Sequence, residues 1–267
     1  MSRVDSIFAS LRADGRRGLM PFVCAGYPSP GGLGAQLGAL QGAGASIVEV
    51  GIPFSDPIAD GPVIAAAMHE ALVAGMTPAR TFDEVRAARP GLDIGLVAMV
   101  SVSLVHRDAE GAGFVAKAAD AGFDGLIVPD LPLEESDRVR ALAAEAGLIC
   151  SLLVAPTTPA SRAAAIARAC TGFVYMLART GITGERADAP EIERRVADLR
   201  RETDLPIACG FGISTPAHVR AVVRHADAAI VGSALIKRMG EASQAGEDPA
   251  AAGAALTAEL STGLSIP

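Results

Sequence analysis

A chain of 267 residues, half of them hydrophobic, can bury one large core, and its formal charge of −7 argues against nucleic acid or an anionic membrane as its main partner. No run of about 18 uninterrupted apolar residues is present to cross a bilayer, and the opening Met1-Ser2-Arg3-Val4-Asp5-Ser6 lacks the apolar stretch of a secretion signal. The expectation is a cytoplasmic protein that binds neither nucleic acid nor membrane.

Short β-branched runs alternate with longer segments rich in alanine, arginine and glutamate, the pattern of βαβ units around a parallel sheet. Strands are predicted at Leu19 to Ala25, Ser46 to Ile52, Ile94 to Val100, Gly125 to Val128, Leu148 to Val154, Gly172 to Leu177, Pro206 to Cys209 and Ala228 to Val231. Helices are predicted between them, among them Ala109 to Ala121, Glu134 to Ala146, Pro159 to Ala169, Pro190 to Arg201 and Thr215 to Arg224. Eight repeats in a chain near the ~250 residues typical of a (β/α)8 TIM barrel favour that fold, with a doubly wound open sheet as the alternative. No linker divides residues 1–267, although Glu241 to Gly253 is alanine-rich and loosely patterned, so a single domain is the simplest reading.

The second strand is the most informative stretch. Alternation places Val48, Val50 and Ile52 on one face and Ile47, Glu49 and Gly51 on the other. A carboxylate among β-branched neighbours is costly to bury unless protonated or paired, which makes Glu49 a candidate acid or base. Asp60, in Asp60-Gly61-Pro62, reads either as a helix-entry cap or as a second functional carboxylate. Asp130 ends the fourth strand, where a structural role is favoured. Tyr175 alternates with Phe173 and Leu177 and could be core or could turn its hydroxyl to a ligand.

Three glycine-rich exits follow strands six, seven and eight: Arg179-Thr180-Gly181-Ile182-Thr183-Gly184, Gly210-Phe211-Gly212-Ile213-Ser214, and Gly232-Ser233 before a helix. Each alone is simple turn chemistry. Together, at consecutive strand ends of a barrel, they point to a phosphate site built from backbone amides and a helix N-terminus.

The two lysines, Lys117 and Lys237, fall on predicted helices, so no Schiff-base lysine projects into the barrel. His69, His106, His218 and His225 lack ligand spacing, and no metal is expected. Cys24, Cys150, Cys170 and Cys209 form no CxxC pair and read mainly as buried free thiols. A lyase built on this chain must let its substrate supply the electron sink and use carboxylates to move protons.

The block Glu49-Val50-Gly51-Ile52-Pro53-Phe54-Ser55-Asp56-Pro57-Ile58-Ala59-Asp60-Gly61-Pro62 closely resembles the signature of the tryptophan synthase α subunit family. Pro21-Phe22-Val23, Gly125 to Ser136, Tyr175 to Gly184, Pro206 to Ser214 and Ile230 to Lys237 match it in order, so the resemblance covers essentially the whole chain. It implies cleavage of indole-3-glycerol phosphate to indole and glyceraldehyde 3-phosphate, with Glu49 and Asp60 as the catalytic carboxylates. It implies that Phe22, Tyr175 and Phe211 enclose the indole side, that Gly184, Gly212, Gly232 and Ser233 hold the phosphate, that Arg179 is among the substrate-binding residues, and that Thr183 meets Asp60. The implied partner is a pyridoxal-phosphate β subunit in an α2β2 complex, touching Pro53, Phe54, Asp56 and Pro57, with no pyridoxal site in this chain. Met99-Val100-Ser101-Val102-Ser103-Leu104-Val105 stands where the family usually has a Tyr-Asn-containing segment. A free-standing lyase without a β partner and a phosphate-binding regulatory barrel are the other readings.

Overall fold

The computed structural model describes residues 2–57, 60–178, 189–210 and 212–265. Ser2 opens the first helix, α1 (Arg3–Ala13), with a capping box in which its hydroxyl accepts from the Asp5 amide and the Asp5 carboxylate accepts from the Ser2 amide. After it come β1 (Gly18–Cys24), α2 (Leu33–Gly42), β2 (Ile47–Gly51), α3 (Pro62–Val73), α4 (Pro78–Ala88), β3 (Gly95–Met99), the short α5 (Val102–His106), α6 (Ala112–Ala121) and β4 (Gly125–Ile127). The second half runs α7 (Asp137–Glu145), β5 (Ile149–Ser151), β6 (Leu153–Val154), α8 (Ala160–Ala169), β7 (Val174–Leu177), α9 (Ala189–Arg200), β8 (Ile207–Gly210), α10 (Pro216–Val223), β9 (Ala228–Val231), α11 (Ser233–Gln244) and α12 (Pro249–Ser261).

All strand pairs are parallel, in the order β5-β4-β3-β2-β1-β9-β8-β7-β6. The two end strands are consecutive in the chain. They are the halves of the predicted fifth strand, Leu148 to Val154, which is broken at Leu152: Ile149–Ser151 pairs with β4 and Leu153–Val154 with β7. The Leu152 amide donates to Cys170 Sγ at 3.3 Å while the Leu152 carbonyl accepts from the Tyr175 amide at 3.3 Å. One bent strand thus serves two neighbours at different heights, as barrel closure requires when strands tilt. The predicted eight strands appear as nine segments of a (β/α)8 barrel.

At the N-terminal ends of the strands, Val4 and Leu11 of α1 pack against the glycines Gly95 and Gly18 and plug that mouth. Two aspartates brace it half a barrel apart. Asp124, just before β4, accepts from the Leu96 amide at 2.8 Å and faces Arg89 at 3.5 Å; Asp227, just before β9, accepts from the Ile207 amide at 2.8 Å and Arg200 at 2.9 Å. The stretch Glu241 to Gly253, loosely patterned in sequence, contributes the end of α11 and the start of α12, which Asp248 caps. Its periodicity is weak because α12 is covered by both α11 and α2, with Gly253 letting Met239 come close. No helix among the described residues is long and apolar enough to cross a membrane.

Candidate active site

Glu49 sits in the middle of β2, in register with Phe22 on β1 and Val97 on β3, so all three side chains point to the same side, into the barrel. It is fully buried, and neither carboxylate oxygen has a hydrogen-bond partner. Burial, and then the negative charge of Asp60, holds this carboxyl well above the usual carboxylate range. An unpaired ionised group there would carry an uncompensated desolvation cost, which favours the neutral, proton-bearing form of Glu49. Tyr175 of β7 is also buried; its phenol is pushed up by burial first and then by Glu49 and Asp60, which puts the three groups within electrostatic reach of one another.

A cleft beyond the ends of β2, β3 and β4 is lined by Phe54, Asp56, Asp60, Met68, Met99, Ser101 and Asp130 among others, with Glu49 outside its lining. Asp60 is not the helix cap that one sequence reading offered. The N-cap of α3 is Gly61, in extended conformation with no side-chain cap, and Pro62 supplies the first helical position without needing an amide partner. That leaves the Asp60 carboxylate free to turn toward the cleft. Burial first, and then the Asp130 carboxylate, pushes it up to about 6.

Asp130, by contrast, has firm partners. Its carboxylate accepts from Ser101 Oγ at 2.6 Å and from the Val102 amide at 2.8 Å, tying the exit of β4 to the exit of β3. The segment Met99 to Val105 therefore forms the end of β3 and the start of α5, with Ser101 as N-cap. Sequence reasoning gave Ser101 no individual role. Its only signal was a serine placed directly before an apolar run, an N-cap pattern. Ser151 was also missed: it is buried, its hydroxyl unpartnered, beside the break in the fifth strand.

Of the expected substrate-side residues, Phe22 is buried with its ring over Gly51, and Gly232 leaves Phe22 Cβ and Ile64 Cδ1 just 3.9 and 3.4 Å from where its own Cβ would be. Gly232 is the N-cap of α11 without a side-chain cap, Ser233 is its exposed first residue, and Gly212 is exposed with φ +75°. A helix start of this kind offers amides and a positive dipole end to an anion. Arg179, Thr183, Gly184 and Phe211 lie outside the described residues. Of the expected docking residues, Pro53 is buried, Phe54 and Pro57 are half-buried and Asp56 is exposed.

Lys117 pairs with Asp108 and Lys237 with Glu241, both on the outside of the barrel. All four cysteines are free and buried. Among the described residues no group of three or more His, Cys, Asp or Glu is arranged to hold a metal ion.

Fold and site together define a (β/α)8-barrel protein that gathers carboxylates, a phenol and an uncapped helix start at the C-terminal mouth of its strands, where such barrels act. The family pattern described as Tryptophan synthase alpha chain matches residues 8–264. The chain is 46% identical over 242 residues to the tryptophan synthase alpha chain of Prochlorococcus marinus, covering 90% of this chain and 87% of that one. It is 47% identical over 238 residues to that of Gluconacetobacter diazotrophicus, covering 88% and 86%. Among solved structures, tryptophan synthase subunit alpha from Legionella pneumophila superposes with TM-score 0.90 at 32% identity, covering 99% of this chain and 98% of that one. Mycobacterium tuberculosis tryptophan synthase does so with TM-score 0.90 at 34% identity over 100% of both chains. The chain belongs to the tryptophan synthase alpha chain family. By that membership it is a lyase subunit that carries the alpha reaction of tryptophan biosynthesis, the cleavage of indole-3-glycerol phosphate.

Proposed function

We propose that Glu49 and Asp60 carry that cleavage between them within one barrel domain formed by residues 1–267. The observation that carries this reading is the fully buried Glu49 carboxyl, neither oxygen of which has a hydrogen-bond partner, in a barrel whose mouth holds Asp60 in a cleft. Glu49 gives its proton to the ring carbon bearing the glycerol chain, and the ring nitrogen becomes iminium-like. The resulting Glu49 carboxylate takes the proton of the adjacent side-chain hydroxyl as the carbon-carbon bond breaks. The bonding pair returns to the ring, the hydroxyl carbon becomes the aldehyde of glyceraldehyde 3-phosphate, and Glu49 ends as it began.

Asp60, ionised above about pH 6, accepts from the ring N–H and stabilises the positive charge that grows there. Phe22, Tyr175 and Phe211 enclose the indole. Gly184, Gly212, Gly232 and Ser233 hold the phosphate with Arg179 nearby, and Thr183 orients Asp60. The retro-aldol step runs through the substrate's own ring, so this chain is assigned no cofactor.

The same reading places this chain in an α2β2 complex with a tryptophan synthase β subunit that carries pyridoxal phosphate, docked through Pro53, Phe54, Asp56 and Pro57. Indole release from indole-3-glycerol phosphate by the purified chain, with and without a β subunit, is the deciding assay. Cleavage that rises on adding the β subunit supports both parts. Equal rates in the two arms leave a free-standing lyase, and no indole in either arm leaves a phosphate-binding barrel.

A further inference from the structure

Among the described residues, the titratable groups that face Asp60 are Cys24 on β1, Glu49 on β2, Asp56 in its own loop, Asp130 after β4 and Tyr175 on β7. Burial keeps the protons on Cys24, Glu49 and Tyr175. The charge directed at Asp60 from another element is therefore that of Asp130. It is held in place from two sides, by the Ser101 hydroxyl at 2.6 Å and the Val102 amide at 2.8 Å, and cannot swing away without giving up both bonds. Among the described residues, no cationic side chain lines the cleft that the two carboxylates share.

We propose that Asp130, anchored by Ser101 and by the first amide of α5, is a positioning residue for the cleavage: its fixed negative charge makes Asp60 a stronger acceptor for the substrate's ring N–H. A like charge across a cleft disfavours the ionised form of its neighbour and so raises that neighbour's proton affinity. The same charge adds to the field that meets a cation forming on the ring, which Asp60 alone would face from one side. Asp130 itself need not touch the substrate. Its two bonds also explain why a serine stands at position 101: it serves at once as cap of α5 and as anchor of Asp130.

This inference rests on the Asp60 role proposed above, and the test separates the two. Asp130→Asn keeps the shape: its carbonyl oxygen accepts from the Val102 amide, and the Ser101 hydroxyl rotates to accept from the new amide nitrogen. In a 13C titration of the Asp60 carboxyl, which needs no turnover, the midpoint in this variant moves to lower pH by roughly half to one pH unit. The acid limb of kcat/KM for indole release moves with it, and kcat at pH 8 falls by up to about three- to tenfold, the rate equivalent of that shift, with KM little changed.

Ser101→Ala keeps the charge and leaves both the midpoint and the limb at their wild-type positions. Asp130→Ser, which keeps a hydroxyl for the Val102 amide, repeats the test if the asparagine variant does not fold. An unchanged Asp60 midpoint in the folded Asp130 variant overturns the proposal, as does an equal shift in Ser101→Ala. Absence of indole release by the wild-type chain would overturn the proposed function, while the carboxyl titration would still report on Asp130.

Discussion

The ring of Phe22 occupies the space where a side chain at Gly51 would begin: a Cβ built on Gly51 lies 2.5 Å from Phe22 Cζ. Both residues face the barrel interior, Phe22 in register with Glu49 and Gly51 two residues further along the same strand. The glycine that interrupts this β-branched strand is thus the seat of an aromatic ring beside the buried acid. Gly51→Ala should displace the ring at an overpacking cost of about 1–3 kcal/mol. It should raise KM for indole-3-glycerol phosphate more than it lowers kcat. Thermal melting and steady-state kinetics on one preparation check both, and an unchanged KM would remove Phe22 from the indole pocket.

Glu49→Gln should keep the fold and lose the reaction. The amide matches the neutral acid in size but cannot give up and take back a proton, a loss of about 10²- to 10⁴-fold for a group acting in acid-base catalysis. Stability should move the other way. Glu49 is raised above its ordinary value of 4.5, so its contribution is fully present below that pH and is lost as pH rises toward its folded value. The glutamine variant should therefore melt higher than the wild type at pH 7, and the difference should vanish below about pH 4. A variant that melts lower at both pH values would mean that the Glu49 proton is not held by burial.

The activity profile should carry the same imprint. Asp60, raised from 3.8 to about 6, must be ionised to accept the ring N–H, so kcat/KM should fall on the acid side through about pH 6. On the alkaline side it should fall where Glu49 loses its proton. Asp60→Asn should abolish the acid limb together with most of the rate, and should stabilise the fold at pH 7 but not at pH 3.5, because the wild-type contribution is lost between 3.8 and about 6. An acid limb that survives in the asparagine variant would assign it to another group.

Asp227→Ala tests the frame apart from the site. It strips the acceptor from the fully buried Ile207 amide and a partner from Arg200, a loss of about 1–3 kcal/mol. The clamp lies at the N-terminal end of the strands, so kcat should hold at temperatures where the variant is folded. A fall in kcat without a fall in melting temperature would contradict that separation.

Much of this site was legible along the chain because its signals are local. Glu49 stood out as a carboxylate in a β-branched strand, and the glycine clusters as strand exits, since period-2 alternation and turn chemistry depend on near neighbours. The break of the fifth strand was not legible: Leu148 to Val154 is a continuous apolar run, and only closure against strands from both halves of the chain divides it at Leu152. Asp60 was ambiguous because Asp-Gly-Pro is equally a cap sequence and a loop sequence. Backbone geometry at Gly61 settled that.

The sequence by itself determined the alternation of strands and helices, the family, and the chemistry available: carboxylates and glycine-rich exits, with both lysines on helices. Those follow from residue types and spacing over a few positions. Only the tertiary structure decided how charged each group is and what it faces. Asp130 and Ser101, 29 positions apart in the chain, meet because β3 and β4 are neighbours in the barrel. Burial favours the protonated form of Glu49 because the other eight strands of the sheet close the barrel around it, and the cost of a charge depends on what surrounds it in space.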